Sequence, residues 1–175
     1  MKRIVTIVAL TCAVAFQVSA QNTVEENKKV AEQMVKLAEM SLCQSVGEGS
    51  EVKILGVSEP DSAFGTDYLT PEEKKAVMGT MKKVTDQIMS RTQNMTAFDP
   101  NDTYVIGLAE RQMRANSDLR QMLFDCDKKG DWSGWKVKID YEVHDGHEQN
   151  YRAERWFFLD KEGNVIFKTI EFPLP

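Results

Sequence analysis

The chain has 175 residues, with 22 Lys and Arg against 27 Asp and Glu, two His and three Cys. A formal net charge of −5 argues against a sequence-independent grip on nucleic acid, which needs a basic surface. Charged residues at 28% beside hydrophobic ones at 42% exclude wholesale disorder and suit one globular domain with a real core.

Met1-Lys2-Arg3 is a short basic start, Ile4 to Phe16 is nearly all apolar, and Gln17-Val18-Ser19-Ala20 ends in small residues. That three-part pattern predicts a secretory signal peptide over residues 1–20, cleaved near Ala20. The apolar run is shorter than the about 20 residues a membrane span needs, so no transmembrane anchor is expected in the mature chain. Cys12 lies inside the run behind Ala9-Leu10-Thr11, a poor match to a lipidation site. Cleavage would remove Lys2, Arg3 and Cys12, leaving two cysteines and a charge two units more negative, −7. The mature protein, residues 21–175, is expected as a single domain in the periplasm or outside the cell.

Thr23-Val24-Glu25-Glu26 reads as a capping box opening a first helix, with Val30, Ala31, Met34, Leu37, Ala38, Ser41 and Leu42 on one face and Gly47 as its stop. Glu51 to Ser58 reads as a short strand, closed by Glu59-Pro60-Asp61-Ser62, and Ala63 to Leu69 as a connecting loop. Thr70-Pro71-Glu72-Glu73 is a strong start for a second helix, with Val77, Met81, Val84 and Ile88 as its buried stripe. Met78, Met81 and Met89 are read as core filling. A third helix is expected from Thr103 to Cys126, with Val105, Leu108, Ala109, Leu119, Met122 and Leu123 facing inward, weakened by Gly107 and by Asn116-Ser117-Asp118.

Three strands follow. Trp135, Val137, Ile139, Tyr141 and Val143 alternate with charged residues, the period of a half-buried strand. Tyr151 to Leu159 and Val165 to Phe172 complete a meander, with turns at Asp145-Gly146-His147 and Lys161-Glu162-Gly163. Pairing Tyr141 with Tyr151 sets Asp140 opposite Arg152 and Lys138 opposite Glu154. Leu159 then faces Val165, with Gly163 taking the left-handed position. Face one carries the odd-numbered apolar residues from Trp135 to Val143, with Tyr151, Ala153, Phe157, Leu159, Val165 and Phe167. It also carries Arg155, Thr169 and Glu171. Face two carries a charged ladder, then Trp156, Phe158, Ile166, Ile170 and Phe172.

The expected fold class is α+β, with three helices packed on one face of a twisted antiparallel sheet made of the meander plus the early strand. This element order resembles the cystatin-like or NTF2-like superfamily. The stretch Glu59-Pro60-Asp61-Ser62-Ala63-Phe64-Gly65, with the signal peptide, looks like small exported Bacteroidetes proteins of unknown function. The first resemblance implies a fold that often binds small ligands in a cone-shaped cavity and sometimes catalyses. The second implies source and compartment, and no activity.

Arg155 is the sharpest candidate, a charge on an otherwise apolar face. Either Glu171 satisfies it structurally, or it meets an anionic ligand in a pocket with Tyr141, Tyr151 and Thr169. Trp156, Phe158, Ile170 and Phe172 are either covered within the chain or form an interface, with a homodimer through the sheet as one outcome. Cys43 and Cys126 either pair as a disulfide in an oxidising compartment or remain free thiols. His144-Asp145-Gly146-His147-Glu148 holds both histidines, but its Asp-Gly is what a turn requires, so no metal site is assigned. Asp61-Ser62-Ala63 resembles an O-glycosylation acceptor of Bacteroidetes, at Ser62. No catalytic residue or cofactor motif is found. The expectation is an exported, non-catalytic protein that binds a small molecule or a protein partner. A small NTF2-like hydrolase or isomerase is the alternative.

Overall fold

The structure is a computed structural model that describes residues 25–46, 49–145 and 150–175. The signal peptide, the Thr23 cap, the Gly47 stop and the hairpin tip with Gly146, His147 and Glu148 lie outside the described residues. The chain divides into two compact units, Met1–Gln33 and Met34–Pro175. In the first, residues 25–33 are helical, and Lys28 pairs with Glu32 one turn on at 4.0 Å.

The second unit holds α1 (residues 34–45), α2 (Pro71–Arg91) and α3 (Thr103–Arg120). At α2 the hydroxyl of Thr70 accepts from the Glu73 amide at 3.2 Å, and the Glu73 carboxylate accepts from the Thr70 amide at 3.1 Å. Two of the four amides a helix start leaves unpaired are thereby satisfied. Asp102 caps α3 by accepting from the Val105 amide at 3.1 Å. The helix runs unbroken through Gly107 and Asn116-Ser117-Asp118, then widens into a π-turn over Gln121–Asp125.

The strands are β1 (Ser50–Val57), β2 (Asp61–Phe64), β3 (Trp132–Asp145), β4 (Tyr151–Leu159) and β5 (Ile166–Leu174). They form one antiparallel sheet in the order β1-β3-β4-β5, with β2 also paired to β3. The α+β class with an antiparallel sheet therefore holds. β2 was expected as turn and loop. It forms because β3 extends back to Trp132, giving Asp61 to Phe64 a partner that local sequence does not reveal.

The β3–β4 register differs from expectation by two residues: Tyr141 faces Ala153, and Val143 faces Tyr151. An even slip keeps every side chain on its expected face. Arg152 still reaches Asp140, now diagonally, with Nε donating at 2.9 Å. Lys138 does not pair with Glu154; its Nζ donates to Glu73 of α2 at 2.7 Å. At β4–β5 a bulge sets Leu159 opposite Ile166 instead of Val165. That extra residue turns Ile166 toward face one and leaves Val165 and Phe167 exposed. Gly163 takes the left-handed position as expected, at φ 73°.

The packing of the helices on a single face is corrected. Among the described helices only α1 lies on face one, where Met34, Ala38 and Leu42 pack with Val137, Ile139, Tyr141, Ala153 and Phe157. Face two is covered by α2 and α3. Val77 and Met81 of α2, with Ala115 and Leu119 of α3, pack on Trp156, Phe158, Ile170 and Phe172. Beyond the sheet these two helices form their own small core of Val84, Ile88, Val105 and Leu108. Both faces carry a long apolar row, so each needs a cover, and burying one such side chain contributes roughly 1.5–3 kcal/mol. Of the three methionines read as core, Met81 is buried, while Met78 and Met89 point outward.

Candidate polar pocket at the edge of the sheet

β5 is the last strand on its side of the sheet, and α3 packs against it. The apolar stripe of α3, Ala115 and Leu119, belongs to the face-two core. The adjacent stripe, at i, i+3 and i+7, is Arg111, Arg114 and Asp118. It meets Arg155, Thr169 and Glu171 of face one across β5, and together they line a pocket of about 260 Å³.

Arg155 sits opposite Glu171 in the β4–β5 ladder and is mostly buried. Its Nη2 donates to Glu171 Oε2, and its Nη1 to the hydroxyl of Ser45 near the end of α1. Tyr141, fully buried, donates its hydroxyl to the same Glu171 oxygen at 2.6 Å. Burial and then the Glu171 charge push the Tyr141 hydroxyl well above its ordinary range, so it stays a donor. Burial and the Glu171 charge raise Tyr151 likewise. Glu171 is thus held from behind by a phenol and from the side by a guanidinium.

The expected pocket residues divide accordingly. Arg155, Thr169 and Glu171 line the pocket. Tyr141 lies behind it, and Tyr151 stacks beneath Arg111, whose Cζ is 4.1 Å from the ring centroid. Arg111, Arg114 and Asp118 were missed. Their spacing along a helix was visible, but that α3 would straddle the edge of β5 was not.

Two alternatives that the sequence left open are decided. Trp156, Phe158, Ile170 and Phe172 form no exposed interface: each is at most 3% exposed, because α2 and α3 cover them. Cys43 and Cys126 are free thiols. Cys43 is on the outward side of α1, over face one, while Cys126 follows the π-turn after α3, which packs on face two. The sheet stands between α1 and α3.

Among the described residues, no cluster of His, Cys, Asp and Glu is arranged to hold a metal, and no helix is long and apolar enough to cross a membrane. Compared with known protein families, curated proteins and solved structures, the chain matches none of them.

Proposed function

We propose that the protein is exported, that it binds rather than catalyses, and that the pocket beside Arg155 takes a small anionic ligand. The observation that carries this reading is the charge of the pocket. Three guanidinium groups converge on it with two carboxylates, leaving one positive charge in an acidic protein. One carboxylate, Glu171, is already engaged by Arg155 and Tyr141. The same engagement favours binding over catalysis, since Oε2 of that carboxylate already accepts from both Arg155 and Tyr141. Export rests on the Met1 to Ala20 pattern, and a cystatin-like or NTF2-like kinship on the element order with α1 across face one.

Calorimetric titration of small carboxylates and phosphates into the full chain tests the binding. Saturable binding at low ionic strength that Arg155→Ala abolishes in a still-folded protein is the expected result. Undiminished binding by that variant overturns the reading. Expression in a Gram-negative host, with the mass of the exported product read directly, tests cleavage after Ala20.

A further inference from the structure

We propose that Arg111 is the carboxylate anchor of this pocket and that Gly107 and Tyr151 position it; this rests on the anion-binding reading above and narrows its ligand to a small monocarboxylate. Gly107 lies one helical turn before Arg111, and the guanidinium is folded back onto it. A Cβ at Gly107 would stand 3.3 Å from Nη1, 3.4 Å from Nη2 and 3.6 Å from Cζ. The two Nη atoms are nearest and Cζ is farther, so the Nη1–Nη2 end of the guanidinium leans onto the glycine. The Tyr151 ring lies under the guanidinium, with Cζ 4.1 Å from its centroid. Glycine is a poor helix former and alanine the best, so a glycine inside α3 works against local stability. The room it leaves for Arg111 supplies the reason for it.

A guanidinium stacked on one ring, with its Nη1–Nη2 end against the helix, keeps its Nε–Nη2 edge for a ligand. On Arg111 the edge formed by Nε and Nη2 is buried and has no hydrogen-bond partner. Those two atoms form the side-on fork of arginine, whose parallel N–H groups match the two oxygens of a carboxylate. Leaving buried donors of a cation unpaired is costly, and an acceptor arriving from the pocket relieves that cost. The fork is closed to water as it stands, so the side chain must slide between Gly107 and Tyr151 toward the pocket it lines. The absence of a Cβ at position 107 leaves that path clear.

Charge selects the ligand further. The pocket holds one uncompensated positive charge among Arg111, Arg114, Arg155, Asp118 and Glu171. A monocarboxylate neutralises it. A phosphomonoester dianion overshoots and places excess negative charge beside Asp118 and Glu171. Thr169 and Asp118 offer partners for hydroxyl groups on the same ligand, so a hydroxylated acid of uronate type fits the lining.

The test uses the full chain at low ionic strength, titrated with sodium glucuronate and with glucose 6-phosphate. Heat of binding and the ¹⁵N signals of the arginine Nε–H groups are followed. The expected result is tighter binding of glucuronate, with a displaced Arg111 Nε signal. Arg111→Lys, which keeps the charge and loses the fork, should weaken binding about 10-fold. Gly107→Ala should weaken it by a similar factor without lowering the unfolding temperature, while Arg120→Lys, an exposed change on the same helix, leaves it intact. If Arg111→Lys and Gly107→Ala bind like the parent while Arg155→Ala does not, the anchor assignment fails and the anion-binding reading stands. Tighter binding of glucose 6-phosphate overturns the monocarboxylate assignment. No saturable binding of either compound up to about 10 mM overturns both.

Discussion

Glu73 shows how much one residue can join. It is 8% exposed, closes the capping box of α2, and accepts from Lys136 Nζ at 2.6 Å and Lys138 Nζ at 2.7 Å. Lys136 is itself buried, and Lys138 lies over the Trp156 ring at 4.1 Å. Burial alone would raise the Glu73 pKa, but the hydrogen bonds from Lys136, Lys138 and the Thr70 amide outweigh it and hold the carboxyl below its ordinary range. Glu73→Gln therefore leaves buried Lys136 with only the Asp61 carboxylate, 3.8 Å away, and takes the carboxylate from Lys138, and should cost about 3 kcal/mol in denaturant unfolding. The sign of the pH effect follows from the depressed value. Stability from Glu73 is complete above the ordinary carboxylate pKa and is lost as pH falls through the folded one. The parent's unfolding midpoint should fall on acidification through that range by more than that of Glu73→Gln.

At the scale of elements, α3 decides whether the pocket exists. Its apolar stripe docks it on face two, and that docking swings Arg111, Arg114 and Asp118 over the edge of β5. Leu119 is fully buried at the centre of the contact. Leu119→Ala should destabilise the protein by about 3 kcal/mol and, where the variant is still folded, loosen the pocket, weakening binding without any change in its lining. Equilibrium unfolding and titration of the same sample measure both effects. Equal affinity in a destabilised variant would show that α3 is not what holds these arginines in place. The register of β3 on β4 belongs to this scale too. Expectation rested on charges directly opposite each other, but Arg152 is long enough to reach Asp140 on the diagonal. The apolar pairs Trp135–Leu159 and Val137–Phe157 were free to choose the register.

Across the whole of the second unit, Met34–Pro175, helices on both faces make a layered arrangement in which the sheet separates Cys43 from Cys126. Reductant should therefore leave the thermal midpoint unchanged. In a chain of residues 21–175, reduced or untreated, two thiols should react with a thiol reagent, exposed Cys43 ahead of half-buried Cys126. A midpoint that drops on reduction would show a bond after all. What the sequence determined by itself is whatever repeats at short range. The Thr70 capping box, the stripes of α2 and α3, the alternation of β3, the left-handed Gly163 and the face of Arg155, Thr169 and Glu171 all follow from 3.6- and two-residue periods and turn chemistry. Packing in three dimensions settles the rest: which helix covers which face, where β2 pairs, and that Arg111, Arg114 and Asp118 join Arg155. These depend on contacts between residues far apart in sequence. Both faces of the sheet are apolar enough to accept a helix, so no local pattern can say which face each helix buries.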